Sequence, residues 1–312
     1  MKVSAKLIFV AIPVIGLLGI SVAGFFDRYS FICQLCSHLR MIWLWLSLAL
    51  VLILYMVRCK KLALACIGLC IINYCQAFLL YFPAADNPSK YNLRLIGLLE
   101  MNVWGGRNRD YGRALKAIRE NDPDIVGVSE VTQGWINALR AALPDYPYVI
   151  ADPHYGGVAL FSRFPLVDGQ IKHFGKIMRP RIQTNVQVGD QEITLIFMHT
   201  VTPVKNAGLS FRNRELVQIA QDARAGSNPV IVAGDMNCSP WSSYFSDFVG
   251  DANLHDTEQG FGPQCSWNAW YPVPFIPIDH CFISDHFVTL QRHVCSRTGS
   301  DHLPVYVQLG LK

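Results

Sequence analysis

Three long apolar runs dominate the first 83 positions: residues 7–26 (LIFVAIPVIGLLGISVAGFF), 41–57 (MIWLWLSLALVLILYMV) and 62–82 (LALACIGLCIINYCQAFLLYF). A helix needs about 20 apolar residues to cross roughly 30 Å of hydrocarbon, and runs this long without charge are rare in soluble folds. The pattern predicts a membrane domain over 1–83 with three transmembrane helices, the second extended by Leu39 and Arg40. The stretch FPAADNPSKYN (82–92) breaks the third run with two prolines and polar residues, and predicts a linker over 84–92.

Beyond residue 93 the pattern changes to short β-branched runs separated by stretches of helical spacing. Strands are predicted at 93–102, 125–130, 156–162, 229–235, 278–284 and 304–310, and helices at 110–124, 133–144 and 211–225. TNVQVG and EITLIFMHT read as a hairpin turning at Gly189-Asp190. Alternating strands and helices favour a parallel sheet, whereas the hairpin and the closing series of short strands favour a mixed, largely antiparallel one. Two sheets packed face to face with helices outside satisfy both, in a single domain over 93–312.

Composition sharpens the division between the two parts. The mean hydropathy of +0.25 is high for a soluble enzyme, and the excess lies in the first 83 residues. Lys2 and Lys6 precede the first run, and Arg58, Lys60 and Lys61 fill the link between the second and third. The excess of basic residues predicts that both lie in the cytoplasm, so that the domain after 83 lies outside. The protein is then a multi-pass cell-membrane protein, in the inner membrane if the source is Gram-negative. The start MKVSAK with its apolar run also has the look of a secretory signal, with SVAG as a cut site; cleavage there leaves the outer domain outside. Cys238, Cys265, Cys281 and Cys295 are an even number in a disulfide-permissive compartment, and Cys238 reads as a disulfide partner. Cys33 and Cys36 form a C-x-x-C without a thioredoxin-like context. The net charge of +4 is too small to indicate nucleic acid by itself.

The predicted strands repeatedly end in residues suited to chemistry: Asn102, Glu130, His199, Asp235 with Asn237, Asp279, and Asp301-His302 just before the last strand. Singly, each reads as a turn or cap residue; together, in a chain with 23 acidic residues, they point to one site. Asp235 and Asn237, two apart at a strand end, are expected to project from one face. Glu130 is a hard oxygen ligand suited to Mg²⁺ or Mn²⁺, ions that take few protein ligands. A carboxylate bonded to one ring nitrogen of His302 would hold the imidazole's tautomer and stabilise its charged form. Arg107, Arg109 and Arg113 offer either a polyanion contact or a solvated basic face. WNAWYPVPFIP (267–277) reads first as a core loop, second as an aromatic wall for bases or lipid.

The ordered set Asn102, Glu130, His199, GDMN (234–237), PIDH (277–280) and GSDHLP (299–304) resembles the endonuclease/exonuclease/phosphatase superfamily, in particular its bacterial membrane-anchored members. The resemblance covers roughly 93–310. It implies a four-layer α/β sandwich with these residues converging at the sheet edges. It also implies a metal held by Glu130 and Asn102, with Asp301 at a second metal or substrate position, and His302, paired with Asp279, as base or phosphoryl donor. His199 would be a phosphate donor or general acid, while Asp235 and Asn237 would act on the attacking water and the phosphoryl charge. The expected activity is divalent-metal-dependent hydrolysis of a phosphodiester in nucleic acid or nucleotides. The competing readings are a phospholipase C or sphingomyelinase-like lipid phosphodiesterase, and a non-catalytic domain that keeps the fold.

Overall fold

The computed structural model describes residues 5–82, 90–175, 179–271 and 275–312; most of the predicted linker lies outside them. Four helices come first: α1 (Ala5–Ala23), α2 (Phe31–His38), α3 (Arg40–Met56) and α4 (Lys60–Phe78). Ser30 caps α2, its hydroxyl accepting from the Cys33 amide. The expectation of three spans is not supported. Among the described residues one helix, Lys60–Tyr81, is long and apolar enough to cross a membrane. A second would require the pair Ala11–Phe26 and Phe31–His38, bent by 105°, to count as one span. Arg40–Met56 is apolar but short, because Leu39 starts it only after α2 has used the preceding residues.

The rest of the chain runs β1 (Arg94–Asn102), α5 (Tyr111–Asn121), β2 (Ile125–Val131), α6 (Gln133–Ala142), β3 (Tyr148–Asp152), β4 (Gly157–Ser162) and β5 (Leu166–His173). It continues with β6 (Pro180–Val188), β7 (Gln191–His199), α7 (Asn206–Arg224), β8 (Val230–Asp235), α8 (Ser243–Ala252), β9 (His255–Asp256), β10 (Asp279–Ile283), β11 (Phe287–Val294) and β12 (Val305–Leu311). Two six-stranded sheets result, ordered β11-β12-β1-β2-β4-β3 and β5-β6-β7-β8-β10-β9. Each is mixed, with one parallel pair, β1–β2 or β7–β8, joined by a helix. The remaining ladders are antiparallel, as the hairpin pattern predicts.

The strands alternate between two hydrophobic layers. Leu98, Val158, Leu195, Phe197, Ile231 and Val307 fill the space between the sheets, while Leu99, Val126, Trp135 and Leu139 pack under α5 and α6. Ile196, Val232, Leu216, Ile219, Phe245 and Phe248 form the layer under α7 and α8. Gly127 lies where β2 meets Phe197 of the other sheet; a Cβ there would sit 2.2 Å from the ring. The two sheets flanked by helices on both outer faces are the predicted four-layer α/β sandwich.

The helical unit is docked on the sandwich through polar contacts to the segment that follows β8. Asp27, 3% exposed, accepts from the Ser242 hydroxyl at 2.9 Å and the Ser243 amide at 2.7 Å. His38 Nδ1 lies 2.7 Å from the Ser239 hydroxyl, Ser37 donates to the Trp241 carbonyl, and Trp241 donates to that of Ala77. Arg28 pairs with Asp247 at the edge. All ten cysteines are free thiols, so the expected disulfide of Cys238 does not form. The reason is layering: Cys238 packs under α7 and α8, whereas Cys281 faces the space between the sheets.

Candidate active site

The topology explains why chemistry gathers at one end of the sandwich. β1 and β2 run parallel, as do β7 and β8, so Asn102, Glu130, His199 and Asp235 all lie at carboxyl ends of central strands. β10 is antiparallel to β8 and begins with Asp279 opposite Asp235, and β12 is antiparallel to β1, so His302 just before it reaches the same edge. Open α/β sheets place ligands at such edges.

Glu130 reaches the site through a bulge. The β2–β4 register shifts between Ser129 and Val131, and Glu130 has φ 56°, a left-handed backbone in the middle of a strand. This turns its side chain out of the alternation, at a conformation non-glycine residues adopt rarely. Gly105 is the close neighbour: a Cβ there would sit 1.9 Å from the Glu130 carbonyl oxygen. The Asn102 amide then bridges the carboxylates, Nδ2 donating to Glu130 Oε1 at 3.2 Å and to Asp235 Oδ2 at 3.0 Å. Its Oδ1 accepts from the Trp104 amide. Asn102 therefore sits as an orienting donor between the two acids instead of presenting a free oxygen to an ion.

Asp235 and Asn237 meet by a different route from the one expected. The strand stops at Asp235, and Asn237 adopts φ 48°, its amide donating to Asp235 Oδ1 at 2.9 Å. That turn, and not a shared strand face, brings them together. Asn237 Nδ2 donates to the Thr200 carbonyl, and Arg212 donates to the Asn237 carbonyl. His302 Nδ1 bonds Asp279 Oδ2 at 2.8 Å, and its Nε2 lies 3.8 Å from Asp235 Oδ2. Burial alone would lower the His302 pKa; the charges of Asp279 and Asp235 outweigh it and raise it to about 10. Burial raises Asp235 to about 7 even though the His302 charge pulls the other way. The site at neutral pH is thus an imidazolium bound to Asp279 beside a carboxyl group poised to exchange a proton.

His199 differs from its expected role. Its Nδ1 bonds the Gly156 carbonyl and its Nε2 faces Arg179 Nη1 at 2.5 Å. Burial and then the Arg179 charge push its pKa well below the usual value. A neutral ring whose Nε2 lone pair accepts from Arg179 has no proton to give there, so the general-acid role does not fit. Arg179 itself, also bonded to the Thr200 carbonyl, was not among the sequence candidates. The hairpin register Ile182↔Phe197 carries the signal, since it places Arg179 opposite Thr200.

Asp301 turns toward the aromatic loop, where its Oδ2 accepts from Trp267 Nε1 at 3.2 Å. Glu100, two before Asn102, is completely buried with neither carboxylate oxygen partnered. Burial and the charges of Asp279 and Asp235 raise its pKa well above the carboxylate range. Arg113 is tied to Asp110, and the 267–271 segment is divided, with Ala269 buried and Trp270 57% exposed.

The donor set at this edge fits a divalent ion. Glu130 offers a hard carboxylate with 29% of its side chain exposed, and Asp235 Oδ2 lies on the other side of the Asn102 amide. Asp235, Asp279 and His302 also bring one ligand atom each within 4.8 Å. A second buried group, Asp256, Glu258 and His280, has the Arg292 guanidinium 4.0 Å from Glu258 as its countercharge.

Two packed mixed sheets with carboxylates, amides and a charged His–Asp pair at one edge define a phosphoester-hydrolase architecture. The family model described as "Endonuclease/Exonuclease/phosphatase family" matches residues 99–302, and the chain belongs to that family. Its members are phosphoester hydrolases, and so is this protein. No curated protein matches the chain. Among solved structures, an endonuclease/exonuclease/phosphatase family protein from Bacteroides thetaiotaomicron is 20% identical, covering 71% of this chain and 100% of its own (TM-score 0.61). The D. rerio TDP2 complex with a single-strand DNA product is 17% identical over 69% and 98% (TM-score 0.59). A B. thetaiotaomicron mannosyl-6-phosphatase is 20% identical over 69% and 99% (TM-score 0.57). At these identities the likeness extends to the fold.

Proposed function

We propose that the protein is a membrane-anchored phosphodiesterase that uses Mg²⁺ or Mn²⁺ and acts on nucleic acid or nucleotides outside the cytoplasm. The observation that carries the chemistry is the row Asp279–His302–Asp235–Asn102–Glu130, buried except at Glu130 and in contact from end to end. Glu130, with Asp235 close by, would hold a divalent ion, which would supply Lewis-acid stabilisation of the phosphoryl oxygens. Asp235 takes the proton of the attacking water, and the turn with Asn237 fixes its carboxylate. The His302 imidazolium, held in place by Asp279, donates to a phosphoryl oxygen as negative charge builds there. Arg179 supplies a second positive donor at the rim beside His199.

The anchoring reading is supported by the helical unit's surface. Ile15, Leu18, Leu46, Leu52, Leu64 and Ile71 stand exposed on α1, α3 and α4 without a partner in the fold. The Asp27 loop meets the sandwich, and the basic 58–61 link joins the other ends of α3 and α4. That arrangement fits a cytoplasmic N-terminus and an outer catalytic domain. A reporter fused after Lys312 tests this, since activity of a reporter that works only in the cytoplasm refutes it.

Full-length protein in detergent tests the chemistry. It should cleave DNA, RNA or a small phosphodiester with Mg²⁺ or Mn²⁺ and stop on addition of EDTA, with recovery when metal is restored. Unchanged turnover in EDTA rules out the metal reading. Hydrolysis of sphingomyelin or phosphatidylcholine vesicles with none of the nucleic acids would replace the proposed substrate by a lipid.

A further inference from the structure

We infer that Trp104 and Trp270, flanked by Arg107, form a stacking platform for an unpaired base of a single-stranded nucleic acid. This rests on the phosphodiesterase reading above and names the substrate form. The two indole rings lie 5.6 Å apart between centroids, tilted by 60°, and the Arg107 guanidinium sits 5.2 Å from the Trp104 ring. Trp270 is 57% exposed, so much of its ring is open to a ligand.

The platform is bolted to the catalytic groups. The Trp104 amide donates to Asn102 Oδ1 at 3.0 Å, two residues from the amide that bridges Glu130 and Asp235. On the other side, the Ala269 amide donates to the Asp301 carbonyl at 2.7 Å, next to His302. A base resting on Trp270 is therefore held a short, defined distance from the phosphate at the acids. The loops carry more positive charge: Arg109 is exposed, and Arg297 donates to the Tyr271 carbonyl at 2.6 Å. Asn108 Nδ2 bonds the Thr298 carbonyl, which holds the two arginine-bearing loops together.

The same geometry decides between ligand classes. A choline headgroup seeks the open face of an aromatic ring, but a guanidinium already occupies the vicinity of Trp104 and would repel a second cation. A nucleobase presents a neutral face to the indole and its phosphates to the arginines, so both features attract it. Stacking requires an unpaired base, because a duplex hides both faces of each base. Base–aromatic stacking tolerates all four bases, so the platform selects strandedness more than sequence.

The test compares a single-stranded oligothymidylate with a base-free (abasic) strand of equal length, using full-length wild type, Trp270→Ala and Trp270→Phe in detergent. KM and kcat are measured with Mg²⁺, and binding by fluorescence anisotropy in EDTA. Wild type should bind the base-bearing strand about 5- to 100-fold more tightly than the abasic one. Trp270→Ala should raise KM for that strand by the same factor with kcat within about twofold, leave the abasic strand unchanged, and be largely rescued by Phe. Equal losses on both strands would assign Trp270 a purely structural role and overturn the inference. So would an unchanged KM, or a loss confined to sphingomyelin or phosphatidylcholine vesicles. A wild type that prefers the base-bearing strand but cleaves nothing keeps the platform and refutes the phosphodiesterase reading. One that cleaves both strands with equal KM does the reverse.

Discussion

Replacing Asp279 by Asn probes the centre of the site without changing its shape. The carboxylate oxygen lies 2.8 Å from His302 Nδ1, with Asp279 1% and His302 6% exposed, so water screens the pair weakly. Two unit charges about 4 Å apart at an effective dielectric of about 20 interact by about 4 kcal/mol, roughly a thousandfold in the protonation equilibrium. Loss of that charge should bring the His302 pKa from about 10 down to about 7, with Asp235 still supporting the imidazolium. The assay is kcat/KM against pH with saturating Mg²⁺. If the imidazolium binds the phosphoryl oxygens, wild type keeps its activity to about pH 9. Between pH 8 and 10, where Asp235 with its pKa of about 7 is already ionised, the variant loses a further roughly hundredfold against about twofold for wild type, on top of a general loss of about 10²–10⁴-fold. The stability sign agrees: a His pKa raised in the folded state contributes stability fully present below 6.5 and lost as pH rises through about 10. An alkaline limb that does not move, or a variant that gains activity between pH 8 and 10, refutes the imidazolium and makes His302 the base.

Three other perturbations test separate parts of the structure. Asp235→Asn should lower kcat about 10²–10⁴-fold with an unchanged circular dichroism spectrum and Tm; near-wild-type turnover would remove Asp235 from the chemistry. Asp27→Ala strips the hydrogen-bond acceptor from the Ser242 hydroxyl and Ser243 amide, at about 1.5–3 kcal/mol for a charged bond. A Tm in detergent equal to wild type would show that the helical unit is not docked there. Glu215, 2% exposed, has its pKa raised by burial to about 7 from 4.5, so it stabilises fully below 4.5 and loses that contribution as pH rises through 7. Glu215→Gln should flatten the fall in stability across that window by up to about 3 kcal/mol, as read from urea midpoints at pH 4.5 and 7.5; parallel curves would show the carboxyl ionises normally.

The sequence by itself determined the layers of the sandwich and most of the candidate site, because both follow from local periodicity. An apolar strand that ends in a polar residue reads the same way in any tertiary context, so Glu130, Asp235, Asp279 and His302 were legible before their neighbours were known. The hairpin at Gly189-Asp190 was legible for the same reason. What only the tertiary structure decided depends on contacts between distant segments. The bulge at Glu130 arises from β2 pairing with β4 and from Gly105 lying against its carbonyl. Asn237 is set by a turn and by Thr200, and His199 is held neutral by burial and by Arg179, 20 residues before it in the chain. The helical unit shows the same limit, since hydropathy counts apolar residues but cannot see the 105° bend between the first run and the helix that follows it. Periodicity records which face a residue turns to its own element; the charge it carries and the partner it meets are set by the field and packing of the assembled fold.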